Sequence, residues 1–477
     1  MFKIYNITNL LVIAVIIIGF FATVYVFGNT PKTEGASILF LLPLSFTFCC
    51  VLFKRIIPYH RGGWGLKVLY FIIFIRYIIV PVLTCNAGSF YADKLYSAEA
   101  YTFAILMQVV ELIVTCASVS YFFKKTYKRC EKKYERQKKH YYDDLGIGGI
   151  VVILLALFLI YRRGLGALMD SMRFLVLTEG IEEEAFYGYD IWLAHTMMAF
   201  LVIVMTGTFQ KREDKKQSIK NIIIPLVFAF VSCAMSFGNN RMTTVLFAIS
   251  ALSVLLVAFP KRKTLVEGTL IPAFVVVIVS FTMIKNFGYD VSSGGNAGLG
   301  DDDKVSTLNA YVSTTKNLAR AYDMYELNGS KMTVGTFFVD VLSGITVLQL
   351  PVFQGITSPI LAQPSSITLA SVGTEVVPMA GQALFYGGHA FGWLIDIIIF
   401  VLLVRLLLIT DCYSRIDRRI GNKYLLTWLS IVFAMMMAYN LSLMWSIVNY
   451  IPFFTWCALY INRTFRINNT VVRHKES

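Results

Sequence analysis

Uninterrupted apolar runs of bilayer length recur from one end of this 477-residue chain to the other. A helix needs about 20 predominantly apolar residues to cross a hydrocarbon core of roughly 30 Å. Runs of that kind lie near 7–28, 36–53, 67–86, 99–123, 146–162, 190–209, 221–237, 242–260, 265–286, 388–409, 424–439 and 441–461. They are solid rather than alternating, which excludes the strand pattern of a membrane barrel. A segment that crosses lipid must satisfy its own backbone, so these runs predict helices. The expected fold is an all-α polytopic membrane protein with about twelve transmembrane helices.

Composition agrees where it decides something. The chain is 57% hydrophobic and 15% charged, with a mean hydropathy of +0.64, against about 45–50% and about 25% for a soluble protein. The same figures exclude disorder, collagen and coiled coil as the main architecture. Length alone suggests about three domains, but no independent soluble block interrupts the runs. Residues 1–477 therefore read as a single membrane domain. The first run is long enough to remain as a span, so no cleaved signal peptide is expected. Eight cysteines form no CxxC pair and no His/Cys cluster, which argues against metal and redox sites.

The net charge of +14 would point to nucleic acid in a soluble protein. Here its distribution matters more, because Lys and Arg accumulate on the cytoplasmic side of membrane proteins. With both termini cytoplasmic, the inner segments hold 30 of the 43 basic residues and the outer segments 11; Arg76 and Arg405 lie within spans. The densest inner run, KKTYKRCEKKYERQKK at 124–139, follows a span directly. It reads as an orientation signal against anionic lipid, not as a nucleic-acid patch.

The outer side carries a loop of about 100 residues at 285–388. It opens on a Gly-rich acidic coil containing Asp301, Asp302 and Asp303, which reads as solvated surface rather than a metal site. Residues 305–327 then predict an amphipathic helix, with Leu308, Tyr311, Leu318 and Tyr322 near one face. The apolar stretch from Met332 is interrupted by Asp340, Gly344 and Pro351, and is expected to lie in the interface or re-enter the membrane. A second outer segment, 163–189, contains an amphipathic piece, and a third is only the turn before Arg241.

Soluble-enzyme fingerprints are absent: no GxxxxGK[ST], no strand-borne GxGxxG, no HExxH and no GxSxG. The informative residues are charged ones in unfavourable places. Arg241 opposes the dipole of the helix it starts, which makes sense if it holds an anion against the helix N–H groups; the alternative is an interfacial anchor. Arg162, Arg163, Arg173 and Arg320 also run against the inside-positive trend, and guanidinium forks suit phosphate or carboxylate. His389, where the loop enters the tenth span, is a candidate general base, with Glu375 as the alternative. His195 reads as a helix-packing hydrogen-bonder. Arg76 and Glu111 lie near the middle of adjacent spans and predict a buried structural pair, with Gln108 in reach; an ion or proton relay is the other reading.

Four stretches resemble the Wzy-type polysaccharide polymerases of the O-antigen polymerase and ligase superfamily. They are Arg76-Tyr-Ile-Ile-Val-Pro81; Gly238-Asn-Asn-Arg241; Tyr311-Val-Ser with Arg320 and Asp323; and Tyr386-Gly-Gly-His-Ala-Phe-Gly392. The resemblance implies a GT-C-like helical bundle in a bacterial cell membrane, working on its outer face. It implies transfer of a growing glycan from undecaprenyl pyrophosphate to the non-reducing end of a new lipid-linked repeat unit. Arg241, Arg320, Arg163, Arg162, Arg173 and Tyr311 would then face the pyrophosphate, and His389 or Glu375 would take the acceptor proton. The donor carries its own leaving group, so no cofactor and no metal are expected. Partners would be the lipid-linked oligosaccharide, membrane lipid, a chain-length regulator and a flippase. The competing readings are a lipid-linked oligosaccharide flippase or other secondary transporter, a ligase-like glycan transferase, and a receptor or scaffold.

Overall fold

The computed structural model describes residues 2–53, 62–90, 96–134, 143–163, 189–235, 241–276, 305, 308, 312–328, 334–345 and 377–465. Among them the chain is helical and forms no strand. The helices are α1 (Phe2–Gly28), α2 (Leu41–Leu52), α3 (Trp64–Phe74), α4 (Val80–Ala87), α5 (Ala98–Tyr134), α6 (Ile147–Arg163), α7 (Tyr189–Lys215), α8 (Lys220–Met235) and α9 (Arg241–Ala258). They continue as α10 (Pro260–Val276), α11 (Thr315–Asn328), α12 (Val334–Ser343), α13 (Met379–Ile416), α14 (Ile420–Ala434) and α15 (Leu441–Thr464).

Six helical stretches among the described residues are long and apolar enough to cross a membrane: Leu10–Gly28, Trp64–Ala87, Ala98–Cys130, Met379–Ile416, Ile420–Met437 and Leu441–Thr464. The pair α9 and α10 passes the same test jointly and bends by 111° at its break. α1 leaves Leu10, Ile13, Phe20, Phe21, Val24 and Phe27 exposed. An apolar face of that extent would be an aggregation surface in water and is at home against lipid. The protein is a polytopic helical membrane protein.

Two compact units hold these helices: Met1–Tyr134, Asn296–Tyr413 and Leu429–Ile447 form one, and Glu135–Gly295, Ser414–Trp428 and Val448–Ser477 the other. In the first unit α3 and α4 are joined through a wide π turn at Ile75–Ile79, which carries Arg76. Pro81, just beyond, lacks an N–H and crowds the carbonyl four residues back, so a local widening is the natural relief. Asp411, fully buried, accepts the backbone N–H of Gly63 at 2.6 Å and of Gly65 at 2.9 Å, and the Tyr127 hydroxyl at 2.8 Å. It thereby caps the start of α3 from the far end of α13. The short helix α12 is held through Asp340, which accepts Gln382 Nε2 at 2.7 Å and Ser442 Oγ at 3.1 Å.

In the second unit Asp143 accepts the Gly421 N–H at 2.8 Å and pairs with Arg463 Nε at 3.0 Å. Lys211 pairs with Asp144 at 2.7 Å, and Arg262 with Glu213 at 3.7 Å. His195 is buried against the Phe247 ring at 5.7 Å between centroids, inside the helix packing.

Three sequence expectations change. The amphipathic helix read over 305–327 is interrupted: Val305, Leu308 and Val312 are helical, Ser313 has φ 44°, which a continuous helix does not admit, and α11 starts at Thr315. The chain around that start, Ser313 to Ala319, is buried throughout. The run expected to start the tenth span at 388 begins at Met379, with a break at Gly388 instead of a start. The stretch at 124–139 opens as a continuation of α5 to Tyr134.

Candidate functional site

Gly388 makes the site possible. It has φ 65° and ψ −171°, a conformation open to glycine and strained for other residues, and it breaks α13 into two segments. A Cβ here would also stand 2.5 Å from Tyr325 Oη. The break turns His389 onto α11, where its Nε2 meets Glu326 Oε1 at 2.6 Å. Both side chains are accessible, 40% for His389 and 55% for Glu326. Around the imidazole stand the rings of Tyr322 (4.7 Å between centroids), Tyr325 (5.0 Å) and Phe103 (5.6 Å), and Trp393 touches Phe103 at 5.2 Å.

A carboxylate fixing one ring nitrogen of an accessible histidine is the arrangement of an oriented general base. Aromatic rings beside it give a flat apolar surface with polar handles. The neighbourhood is acidic: burial pushes the Tyr322 hydroxyl up, and Glu326, Glu99 and Asp323 push it further. Asp323 also accepts the Ser97 hydroxyl at 3.0 Å, which ties α11 to the start of α5.

Deeper in the same unit Arg76 Nη1 donates to Glu111 Oε1 at 2.8 Å and to the Met437 carbonyl. The Gln108 amide satisfies its neighbours when its oxygen faces Arg76 Nε at 3.3 Å and Thr315 N–H at 3.1 Å. Its nitrogen then donates to Thr315 Oγ1 at 3.0 Å. The structure thus brings together Arg76, Glu111 and Gln108, and adds the first turn of α11.

The remaining candidates fall as follows. Arg320 is half-buried on α11, in the unit of His389. Arg241 is the first residue of α9, and Arg162 and Arg163 close α6, all in the other unit; their side chains lie outside the description. Arg173, Tyr311, Glu375 and Asp301–Asp303 lie outside the described residues, as does the amphipathic piece within 163–189. Sequence reading missed Glu326 and Asp396. Glu326 carries no signal among the other charges of a loop helix. Asp396 does carry one, a lone carboxylate in the apolar run Gly392-Trp-Leu-Ile-Asp-Ile-Ile-Ile-Phe400. No protein-family model, curated protein or solved structure matches this chain.

Proposed function

We propose that this protein is a glycan polymerase of the outer face of a bacterial cell membrane, joining lipid-pyrophosphate-linked oligosaccharide repeat units. One observation carries the reading: the accessible His389–Glu326 pair at 2.6 Å, set among Phe103, Tyr322, Tyr325 and Trp393. His389 is the base that takes the proton from the acceptor hydroxyl, and Glu326 orients it and stabilises its charged form. The aromatic surface suits a sugar ring. The acidic surroundings fit this acceptor role, and Arg320, on α11 of the same unit, is the arginine offered here for the pyrophosphate.

The topology proposed with it is twelve spans, both termini cytoplasmic and the 285–388 loop external. Contacts within each unit support that alternation, because they join residues assigned to one side. Gly63, Tyr127 and Asp411 are all inner, as are Asp143, Gly421 and Arg463; Ser97 and Asp323 are both outer.

A second reading, a lipid-linked oligosaccharide flippase or other secondary carrier, is favoured by the buried Arg76–Glu111 network, since charges at that depth mark ion pathways in carriers. Deleting the gene separates the two. A polymerase mutant leaves single repeat units on the surface, whereas units trapped on the inner leaflet would overturn the polymerase reading. His389→Ala and Glu326→Gln should each lower polymer at matched membrane abundance, the former by about a hundredfold or more. Near-normal chain length in both would remove this pair from the chemistry.

A further inference from the structure

We propose that Glu111 and Asp396 form a buried binding site for one small monovalent cation, a proton or an alkali-metal ion, within the first unit. Glu111 on α5 is 1% exposed and Asp396 on α13 is 2% exposed. Arg76 occupies Oε1 of Glu111 at 2.8 Å. The other Glu111 oxygen, Oε2, and Oδ1 of Asp396 are buried and meet no donor among the described residues. Buried polar atoms are normally satisfied, and neighbouring carboxylates in this same unit obey the rule. Asp411 has three donors and Asp340 has Gln382 and Ser442. Glu111 and Asp396 differ from those two carboxylates in this respect.

Charge arithmetic points the same way. Arg76 acts on both carboxylates, and the charge of Glu111 acts on Asp396. From the packed elements, Arg76 and Tyr77 approach on the π turn, Gln108 on α5 and Thr315 on α11; Tyr77 donates to the Gln108 carbonyl at 2.7 Å. Arg76 is already shared between Glu111 and the Met437 carbonyl. One guanidinium against two ionised carboxylates leaves a net negative charge where an uncompensated charge is most costly. One added positive charge makes the cluster neutral and gives the orphaned oxygens a partner. A structural Arg76–Glu111 pair explains Glu111 and leaves Asp396 unexplained; a cation site explains both. The site is independent of the catalytic reading and would stand in a polymerase or in a carrier.

The test uses the full chain in lipid nanodiscs, with the thermal unfolding midpoint followed in two titrations. One lowers pH in the absence of alkali-metal ions, and the other raises sodium at a fixed alkaline pH. A bound ligand stabilises the folded state as its concentration rises. A proton site therefore raises the midpoint in the first titration alone, and an alkali-metal site raises it in the second. Asp396→Asn, matched in shape and uncharged, is expected to flatten that response by about one ion bound per molecule. It should also raise the midpoint under alkaline sodium-free conditions, where the wild-type site is empty. Equal responses in wild type and Asp396→Asn overturn the proposal, as does an Asn variant that is less stable throughout both titrations. Should the Asn variant not accumulate, a wild-type midpoint flat in both titrations overturns it alone.

Discussion

Replacing Asp411 with alanine should destabilise the first unit more than any surface change. Its carboxylate collects the N–H groups of Gly63 and Gly65 and the hydroxyl of Tyr127, all within 2.6–2.9 Å, and it is fully buried. Removing it strands two backbone donors at the start of α3 and a phenol. Each stranded buried donor costs about 1–3 kcal/mol, and water reaching the helix end recovers part of that. The expected loss is about 4 kcal/mol. At roughly 2 °C per kcal/mol for a unit of a few hundred residues, the midpoint should fall by about 8 °C. Tyr127→Phe removes only one of the three bonds, at about 1 kcal/mol and about 2 °C. Asp411→Asn should fall between them, because one acceptor oxygen remains while an amide N–H₂ now faces a donor. Thermal unfolding of the purified protein in one detergent measures all three. An Asp411→Ala midpoint within about 2 °C of wild type would refute the claim that this residue fixes α3.

Two further perturbations test local geometry. Gly388→Ala should cost about 2 kcal/mol from the positive φ and the approach to Tyr325 Oη, and should disturb the His389–Glu326 contact; Tyr325→Phe in the same chain should restore part of that stability, and no restoration would mean the backbone strain acts alone. In the second unit burial opposes the charge of Glu213, yet the Ser218 N–H, Asn221 and Arg262 hold its carboxyl below the usual range. A depressed folded-state value stabilises above the ordinary carboxylate pKa and is lost as pH falls through the lower folded value. Protection of the Ser218 amide, taken relative to the intrinsic exchange rate at each pH, should fall on that acidification, and Glu213→Gln should show the low protection already at neutral pH.

The membrane class was legible in the sequence because lipid allows one solution to backbone satisfaction and the apolar runs announce it. The Arg76–Glu111 pair was legible for the same reason, since charges at that depth seek each other. Glu326 was not, because a carboxylate on a loop helix looks the same whether it faces water or a histidine 63 positions later. The break at Gly388 was visible only as one glycine in a Gly-rich stretch. What singles it out is the Tyr325 hydroxyl of another helix, a long-range contact that no local pattern carries.

The place of α11 shows what such contacts do to a sequence-level reading. Hydrophobic periodicity alone makes this segment an amphipathic helix with one apolar face. Yet Ser313, Thr314, Thr315, Lys316 and Asn317 are polar and buried; Thr315 bonds to Gln108, and Ser313, just before the helix, donates to the Ala438 carbonyl. Polar residues go into an apolar bundle only where partners await them. For Thr315 that partner is Gln108, whose amide oxygen also faces Arg76. From Thr315 to Glu326 is eleven residues, or about 16 Å of helix at 1.5 Å per residue. One rigid element therefore has its first turn in the buried charge network and presents Glu326 to His389 near its other end. Any change in the charge of that network, by mutation or by an ion, acts on the helix that orients the candidate base.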